Sequence, residues 1–287
     1  SPSIEVRPVY TKIRTRPSWD ALTRSCRTAL RAGTFVLGGA LLVSQAAHAN
    51  FINGGFESGL TGWTPSIYSN YGITTFPPTQ KSHLNLQTAN PSYPNTLTTT
   101  TSGFDGNTGA SNASRLQVPR PGFGAASGRV NGALENYRTS SLQQTITMAL
   151  SDVAGDGNIH VRFTMAPVLQ NPGHNNNEQP YFFVQLTNLS KGNAVLFTQF
   201  NFANQPGVNW QSYNGVQFTD WTTVDVPLPP GQVDVGDQVS LEIIAAGCSL
   251  GGHWGYVYVD EVSTGSLPGL GVTASGPSGI VLGSNST

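Results

Sequence analysis

The stretch NGGFESGLTGW, residues 53–63, places four glycines, one carboxylate and two aromatic side chains within eleven residues. Glycine permits close backbone approach and turns with positive φ. We expect Phe56 and Trp63 to enter a hydrophobic core while the glycines form the turns between them. The stretch therefore predicts a structural turn segment, packed against the core, at the start of a folded domain.

An apolar run shortly before this stretch predicts a secretory signal peptide. Residues 24–31 supply three arginines, residues 32–43 are mostly apolar, and residues 47–49 form the small-x-small cleavage site Ala-His-Ala. The rival interpretation is a membrane anchor, but a span needs about 20 apolar residues and this run is shorter and broken by glycines. We therefore expect a basic leader and signal peptide over 1–49, secretion from a bacterial cell, and no membrane span in the mature chain.

We expect the mature chain to begin at Asn50, because the residues just before it form the cleavage site. N-terminal sequencing of the secreted protein measures this directly, and a start well upstream of Asn50 would contradict the prediction.

Charge is sparse and unevenly distributed along the chain. Residues 1–49 carry seven Lys/Arg against two Asp/Glu, and residues 50–287 carry seven against thirteen, giving formal charges of +5 and −6. The bases of the second part are few and scattered, so they cannot follow a phosphate backbone, and no nucleic-acid partner is expected. Abundant Thr, Ser, Asn, Gly and Pro favour strands and turns over helices.

Alternating apolar and polar residues predict at least eight short strands. They cover residues 127–130, 141–148, 158–166, 181–189, 194–202, 221–228, 238–246 and 255–262. Turn-rich segments separate them, which predicts an all-β fold, a two-sheet β-sandwich or jelly roll. Residues 64–126 have weak strand patterning, and form either a long surface insertion or short strands with elaborate loops.

Both ends of this region resemble a known family. NGGFESGLTGW is similar to the N-terminal signature of the galactose-binding-like jelly rolls, which include many carbohydrate-binding modules. GYVYVDEVS, residues 255–263, resembles their closing strand, in which an aromatic-rich run leads into Val-Asp-x-Val. The resemblance covers about 50–264, departs from the family in length over 64–126, and implies a jelly-roll domain that binds glycans.

The tail after this domain has a different composition. Residues 265–287 begin with a glycine-rich linker, and VTASGPSGIVLGSNST resembles the first strand of the Ig-like repeats of bacterial surface proteins. We therefore expect a further β domain to start here, and the chain to be part of a larger extracellular protein.

The jelly-roll resemblance also implies a metal site. Such domains often hold a structural Ca²⁺, and their first and last strands are neighbours, which would bring Glu57 and Asp260 together. Carboxylates and turn carbonyls are the hard oxygen ligands that suit this ion. The alternative is that Glu57 caps backbone N–H groups and Asp260 is solvated.

Two polar loops are candidate ligand-binding segments, QNPGHNNNEQPY at 170–181 and CSLGGHWGY at 248–256. Their amide and imidazole groups can hydrogen-bond sugar hydroxyls, while an aromatic ring can pack on the apolar face of a pyranose. The alternative is that each loop is a solvated turn. The candidate residues are His174, Asn175, Asn176, Glu178 and His253.

The tryptophans divide by their positions. Trp210 and Tyr213 lie in a turn-rich segment and are the candidates for exposed stacking on a ligand. Trp63, Trp221 and Trp254 lie at strand positions and are expected in the core.

Cys248 is the only cysteine of the expected mature chain. We expect a small buried residue, the alternatives being an intermolecular disulfide or a reactive thiol. A metal site of His174 and His253 would require their two loops to meet, which the sequence does not determine.

No recognised catalytic motif occurs: the chain has no His-Glu-x-x-His, Gly-x-Ser-x-Gly or phosphate-loop pattern. A glycosidase pair need not be adjacent in sequence, so a hydrolase stays open as an alternative. We expect a secreted, non-catalytic module that binds glycans or another cell-surface or matrix polymer. The alternative is a structural subunit of an extracellular fibre or surface layer, which would associate with itself.

Overall fold

The computed structural model describes residues 51–89, 98–100 and 103–265. The predicted leader, signal peptide and cleavage site lie outside these residues, as do the predicted linker and partial strand from 266 onward. Within the described ranges, no helix has the length and apolar character needed to cross a membrane.

The described residues form thirteen strands and two single-turn 3₁₀ helices, Lys81–His83 and Leu150–Asp152. The strands are β1 (Thr64–Ile73), β2 (Leu84–Thr88), β3 (Thr98–Thr100), β4 (Ser127–Val130), β5 (Arg138–Thr147), β6 (Ile159–Gln170), β7 (Tyr181–Asn188), β8 (Ala194–Phe202), β9 (Gln211–Tyr213), β10 (Val216–Phe218), β11 (Thr222–Leu228), β12 (Gln238–Ala246) and β13 (Gly255–Thr264).

These strands make two antiparallel sheets, as the alternating pattern predicts. The first sheet has the order β2-β1-β5-β12-β7-β8, and the second has the order β3-β4-β13-β6-β10-β9. The long strand β6 serves two partners on the same side, because β11 pairs with its first part and β10 with its last residues. The predicted all-β, two-sheet sandwich is confirmed.

The core follows from side-chain alternation on the central strands. On β12, Leu241 and Ile243 lie in the main hydrophobic cluster with residues of the second sheet such as Phe163 and Val259. The intervening residue Ile244 belongs to a different cluster, with Tyr181. Strand β12 is therefore buried on both faces, and its polar residues Ser240 and Glu242 are buried as well.

Residues 64–126 contribute strands to the sheets. Strand β1 is ten residues long and lies inside the first sheet, between β2 and β5. The start of this segment therefore agrees with the interpretation of strands connected by loops. It does not agree with a surface insertion that begins at residue 64.

The opening stretch 53–63 consists of turns and precedes the first strand. Because β1 pairs with β2 and β5, whereas β13 lies in the other sheet, the expectation that the first and last strands are neighbours is wrong. The turn itself makes the connection: the Val262 N–H donates to the Gly54 carbonyl at 3.1 Å. A Cβ atom on Gly54 would overlap the Val262 carbonyl oxygen, so this close approach requires glycine.

Asn53 organises the turn. Its amide group donates to the Gly59 carbonyl at 2.9 Å and accepts from the Ser58 N–H at 3.0 Å. The Trp63 indole N–H donates to the Asn53 carbonyl at 3.3 Å. Phe56 is fully buried and stacks on Trp63 with 5.2 Å between the ring centroids, so both aromatic residues of the stretch are in the core as expected.

We predict that Trp63→Ala lowers the free energy of unfolding by about 3–5 kcal/mol, the usual range for emptying a buried aromatic site. Chemical denaturation measures this, and Leu150→Ala is the control because Leu150 is 76% exposed. Near-equal stability of the two variants would show that Trp63 is not part of the core.

Candidate functional site

A cleft of about 260 Å³ opens beside Trp210. Gln199 and Asn201 reach it from β8, the outermost strand of the first sheet, while Asn209 and Trp210 reach it from the loop before β9. Asp220, between β10 and β11, supplies the only charged group among the residues that line it. The cleft therefore combines two aromatic residues, Trp210 and Phe182, with several amides, a composition suited to a neutral polyhydroxylated ligand.

Two polar atoms of the lining residues have no hydrogen-bond partner. Within the described part of the chain, the indole nitrogen of Trp210 and the amide oxygen of Gln199 are buried and unpaired. The other end of the Gln199 amide donates to Asn201 Oδ1 at 3.4 Å. A buried polar group without a partner costs about 1–3 kcal/mol, so each of these two atoms would gain from a hydrogen-bond partner.

Tyr213, the second predicted stacking residue, is not among the residues that line this cleft. It lies on β9, paired with Val216 of β10, and is half-buried. The structure therefore places one of the two predicted aromatic residues in the cleft.

The predicted polar residues of the 170–181 loop lie elsewhere. His174, Asn175 and Asn176 line an open depression together with Phe76. Glu178 accepts from the Asn175 side chain at 2.8 Å and from its backbone N–H at 3.3 Å, so it holds the loop rather than projecting from it.

The two polar loops meet at their histidines. The rings of His174 and His253 are in edge contact, with 5.0 Å between their centroids. His253 is therefore adjacent to the 170–181 loop, while the cleft at Trp210 shares no lining residue with the depression beside His174. The predicted ligand-binding residues fall into two separate places.

Glu57 and Asp260 line one cavity of about 440 Å³. Glu57 Oε1 accepts from the N–H groups of Ala125 and Ala126 at 2.8 and 3.1 Å, which is the capping role considered for it. Asp260 is fully buried and accepts from the Ser127 hydroxyl at 2.7 Å. The alternative that Asp260 is solvated is therefore wrong.

Acidic and basic side chains together line this cavity, since Arg120 and Arg162 accompany the carboxylates. Burial, with a smaller contribution from the negative charge of Glu57, raises the pKa of Asp260 to about 7 against the opposing effects of the Ser127 hydrogen bond and the Arg120 charge. Arg120 itself pairs with Glu261 on the cavity wall. The two carboxylates are oxygen donors of the kind that Ca²⁺ binds, but Arg120 and Arg162 line the same cavity and oppose a cation there, so the calcium site stays a prediction.

We predict that EDTA lowers the melting temperature of the protein and that added Ca²⁺ restores it. An ion that binds only the folded state stabilises it by about 2.7 kcal/mol at a hundredfold excess over Kd. Differential scanning calorimetry measures how far added Ca²⁺ restores the melting temperature after EDTA treatment, a gain that Glu57→Gln and Asp260→Asn should abolish and Glu178→Gln should retain. If EDTA leaves the wild-type curve unchanged and no calcium copurifies, Glu57 serves as a backbone cap alone.

Comparison with known proteins supplies structural likenesses only. No protein-family model matches the chain, and no curated protein matches it. One similar solved structure comes from work on the promiscuous specificity of carbohydrate-binding modules of the β-sandwich superfamily, with 13% identity, a TM-score of 0.37, and coverage of 77% of this chain and 64% of that chain.

Two further structures are similar. The carbohydrate-binding module CBM27-1 of Caldicellulosiruptor saccharolyticus, solved with mannohexaose, has 17% identity and a TM-score of 0.31, over 51% of this chain and 77% of that chain. A cyclase from Fischerella sp. TAU has 15% identity and a TM-score of 0.35, over 74% of this chain and 92% of that chain. Binding proteins and an enzyme both occur, so these likenesses point to no single activity.

The sequence did not single out Gln199 as a candidate residue. It lies in the middle of β8, where AVLFTQFNF looks like an ordinary edge strand with polar residues facing solvent. It lines the cleft only because residues of the β8–β9 loop lie beside it, a tertiary arrangement that strand periodicity does not encode.

Proposed function

We propose that the chain is a secreted, non-catalytic jelly-roll module that binds a glycan in the cleft beside Trp210. The observation that carries this proposal is the pair of buried, unpartnered atoms, Trp210 Nε1 and Gln199 Oε1, on residues that line the same cleft. A sugar hydroxyl is both donor and acceptor, so hydroxyls of one ligand satisfy both atoms.

The remaining chemistry of the cleft agrees with a neutral sugar. The indole ring offers an apolar face to the C–H face of a pyranose, and Asn201 and Asn209 add amide groups for its hydroxyls. The lining residues include one acid and no base, which disfavours an anionic ligand. A cleft of 260 Å³ is at the small end for ligand sites and suits about one or two sugar rings.

The same lining residues argue for binding without hydrolysis. Glycoside hydrolysis needs two carboxyl groups placed on either side of the scissile bond. Asp220 is the one carboxylate among the residues that line the cleft. We therefore propose that the module recognises its glycan without cleaving it.

We predict that Trp210→Ala weakens glycan binding by roughly 30-fold or more, which corresponds to about 2 kcal/mol. The full chain is first screened on a glycan array, and titration calorimetry then compares the wild type with Trp210→Ala and Gln199→Ala on the strongest hit. Tyr71→Ala is the matched control, because Tyr71 is an exposed aromatic residue, 48% accessible, outside the cleft.

The absence of any array signal above background would contradict glycan binding. Full binding by Trp210→Ala with an unchanged melting temperature would instead place the glycan elsewhere on the protein.

The second candidate function is a structural subunit of an extracellular fibre or surface layer. The observation in its favour is that β8, nine residues long, forms an outer edge of the first sheet and pairs with β7 alone among the described strands. An edge strand of this length can pair with a second chain. Concentration-dependent polymers in sedimentation experiments, without glycan binding, would favour this function over the first.

A further inference from the structure

Cys248 and His253 are held together by a tight loop between β12 and β13. The Cys248 N–H donates to the His253 carbonyl at 2.9 Å, and a Cβ atom on Gly247 would lie 2.5 Å from that same carbonyl oxygen. The loop therefore closes on itself with four residues between the two side chains. Cys248 Sγ lies 3.5 Å from His253 Nδ1.

His174 joins this pair from the loop between β6 and β7. The Ser249 N–H donates to the Glu178 carbonyl at 3.1 Å, and the Gln179 side chain donates to the His174 carbonyl at the same distance. These bonds connect the two loops and position the His174 ring. One potential ligand atom from each of His174, Cys248 and His253 lies within 4.8 Å of the other two.

The polar groups of this cluster are poorly satisfied by the protein itself. Cys248 is fully buried and forms no disulfide. Within the described part of the chain, His174 Nε2 is buried without a hydrogen-bond partner. An unpaired buried nitrogen is costly unless something binds it.

We propose that His174, Cys248 and His253 form a binding site for a borderline-soft divalent metal ion of the Zn²⁺ class. One thiolate and two imidazoles are the ligands that such ions prefer, while Ca²⁺ and Mg²⁺ prefer oxygen. In a tetrahedral zinc site the sulfur and nitrogen ligands lie about 3.6 Å apart. The 3.5 Å separation of Cys248 Sγ and His253 Nδ1 agrees with that value.

The third ligand, His174, must move slightly to complete the site. The largest ligand separation, up to 4.8 Å, must shorten by about 1 Å for tetrahedral coordination. His174 lies in a loop outside the strands and can supply this movement. It also lines the open depression beside Asn175, which gives an ion a route from solvent. Binding releases the thiol proton of Cys248 to solvent, and three protein ligands leave a fourth position for water.

The test uses Co²⁺ as a spectroscopic substitute for Zn²⁺ in the full chain carrying Cys26→Ser, so that Cys248 supplies the only thiol. Titration of this metal-free protein should give one equivalent of Co²⁺ with a thiolate-to-cobalt charge-transfer band and the visible bands of tetrahedral Co²⁺. Added Zn²⁺ should displace the Co²⁺, and added Ca²⁺ should not.

Variants assign the ligands. Cys248→Ser should remove the charge-transfer band, and His174→Gln and His253→Gln should each weaken binding at least tenfold. His83→Gln, which changes a half-buried histidine that is not part of the cluster, should bind as the parent does. Circular dichroism verifies that each variant is folded.

Two results would overturn the proposal. The first is a parent protein that shows no charge-transfer band with excess Co²⁺, a measurement that needs no change to either loop. The second is a Cys248→Ser variant that binds Co²⁺ as tightly as the parent protein does. Neither result bears on glycan binding at Trp210, because the two sites share no residue.

Discussion

The contact between the opening turn and the last strand is the constraint on which much of this structure depends. The Val262 N–H bonds the Gly54 carbonyl at 3.1 Å, and only glycine fits at that distance. This contact carries the turn onto β13 although the first strand belongs to the opposite sheet. It also lets Phe56 enter the core, and places Glu57 and Asp260 on one cavity. A structural core and a potential cation site thus depend on the same glycine.

Sequence periodicity located the strands whose buried face is apolar, and it missed strands whose buried face includes polar residues. The strands at 127–130, 194–202 and 238–246 were predicted with the bounds that the structure shows. Strand β1 was missed because its buried residues include Ser69 and Asn70. The Asn70 amide donates to the Gly247 carbonyl at 2.8 Å, so its burial is compensated by a residue distant in sequence. Such compensation is invisible to a pattern of apolar residues.

The residues of the candidate sites also differ in whether the sequence could identify them. Trp210 could be proposed from the sequence because an aromatic residue in a turn-rich segment has no strand to pack into. The sequence could not show that Gln199 lines the same cleft, or that Cys248 lies next to His174. Both depend on which loops the sandwich brings together at its ends and edges. The sequence showed residues with suitable chemistry, and the fold decided which of them share a site.

An unpaired buried polar atom is not by itself a sign of a ligand site. The Tyr181 hydroxyl is also buried without a partner among the described residues, and burial strongly raises its pKa. Yet Tyr181 lies within a hydrophobic cluster and lines none of the three cavities described above. Trp210 and Gln199 differ because both residues line the same cleft, and His174 differs because Cys248 and His253 each offer a potential ligand atom within 4.8 Å of its own. An unpaired buried atom therefore supports a proposed site only where its residue borders a cleft or a cluster of potential ligands.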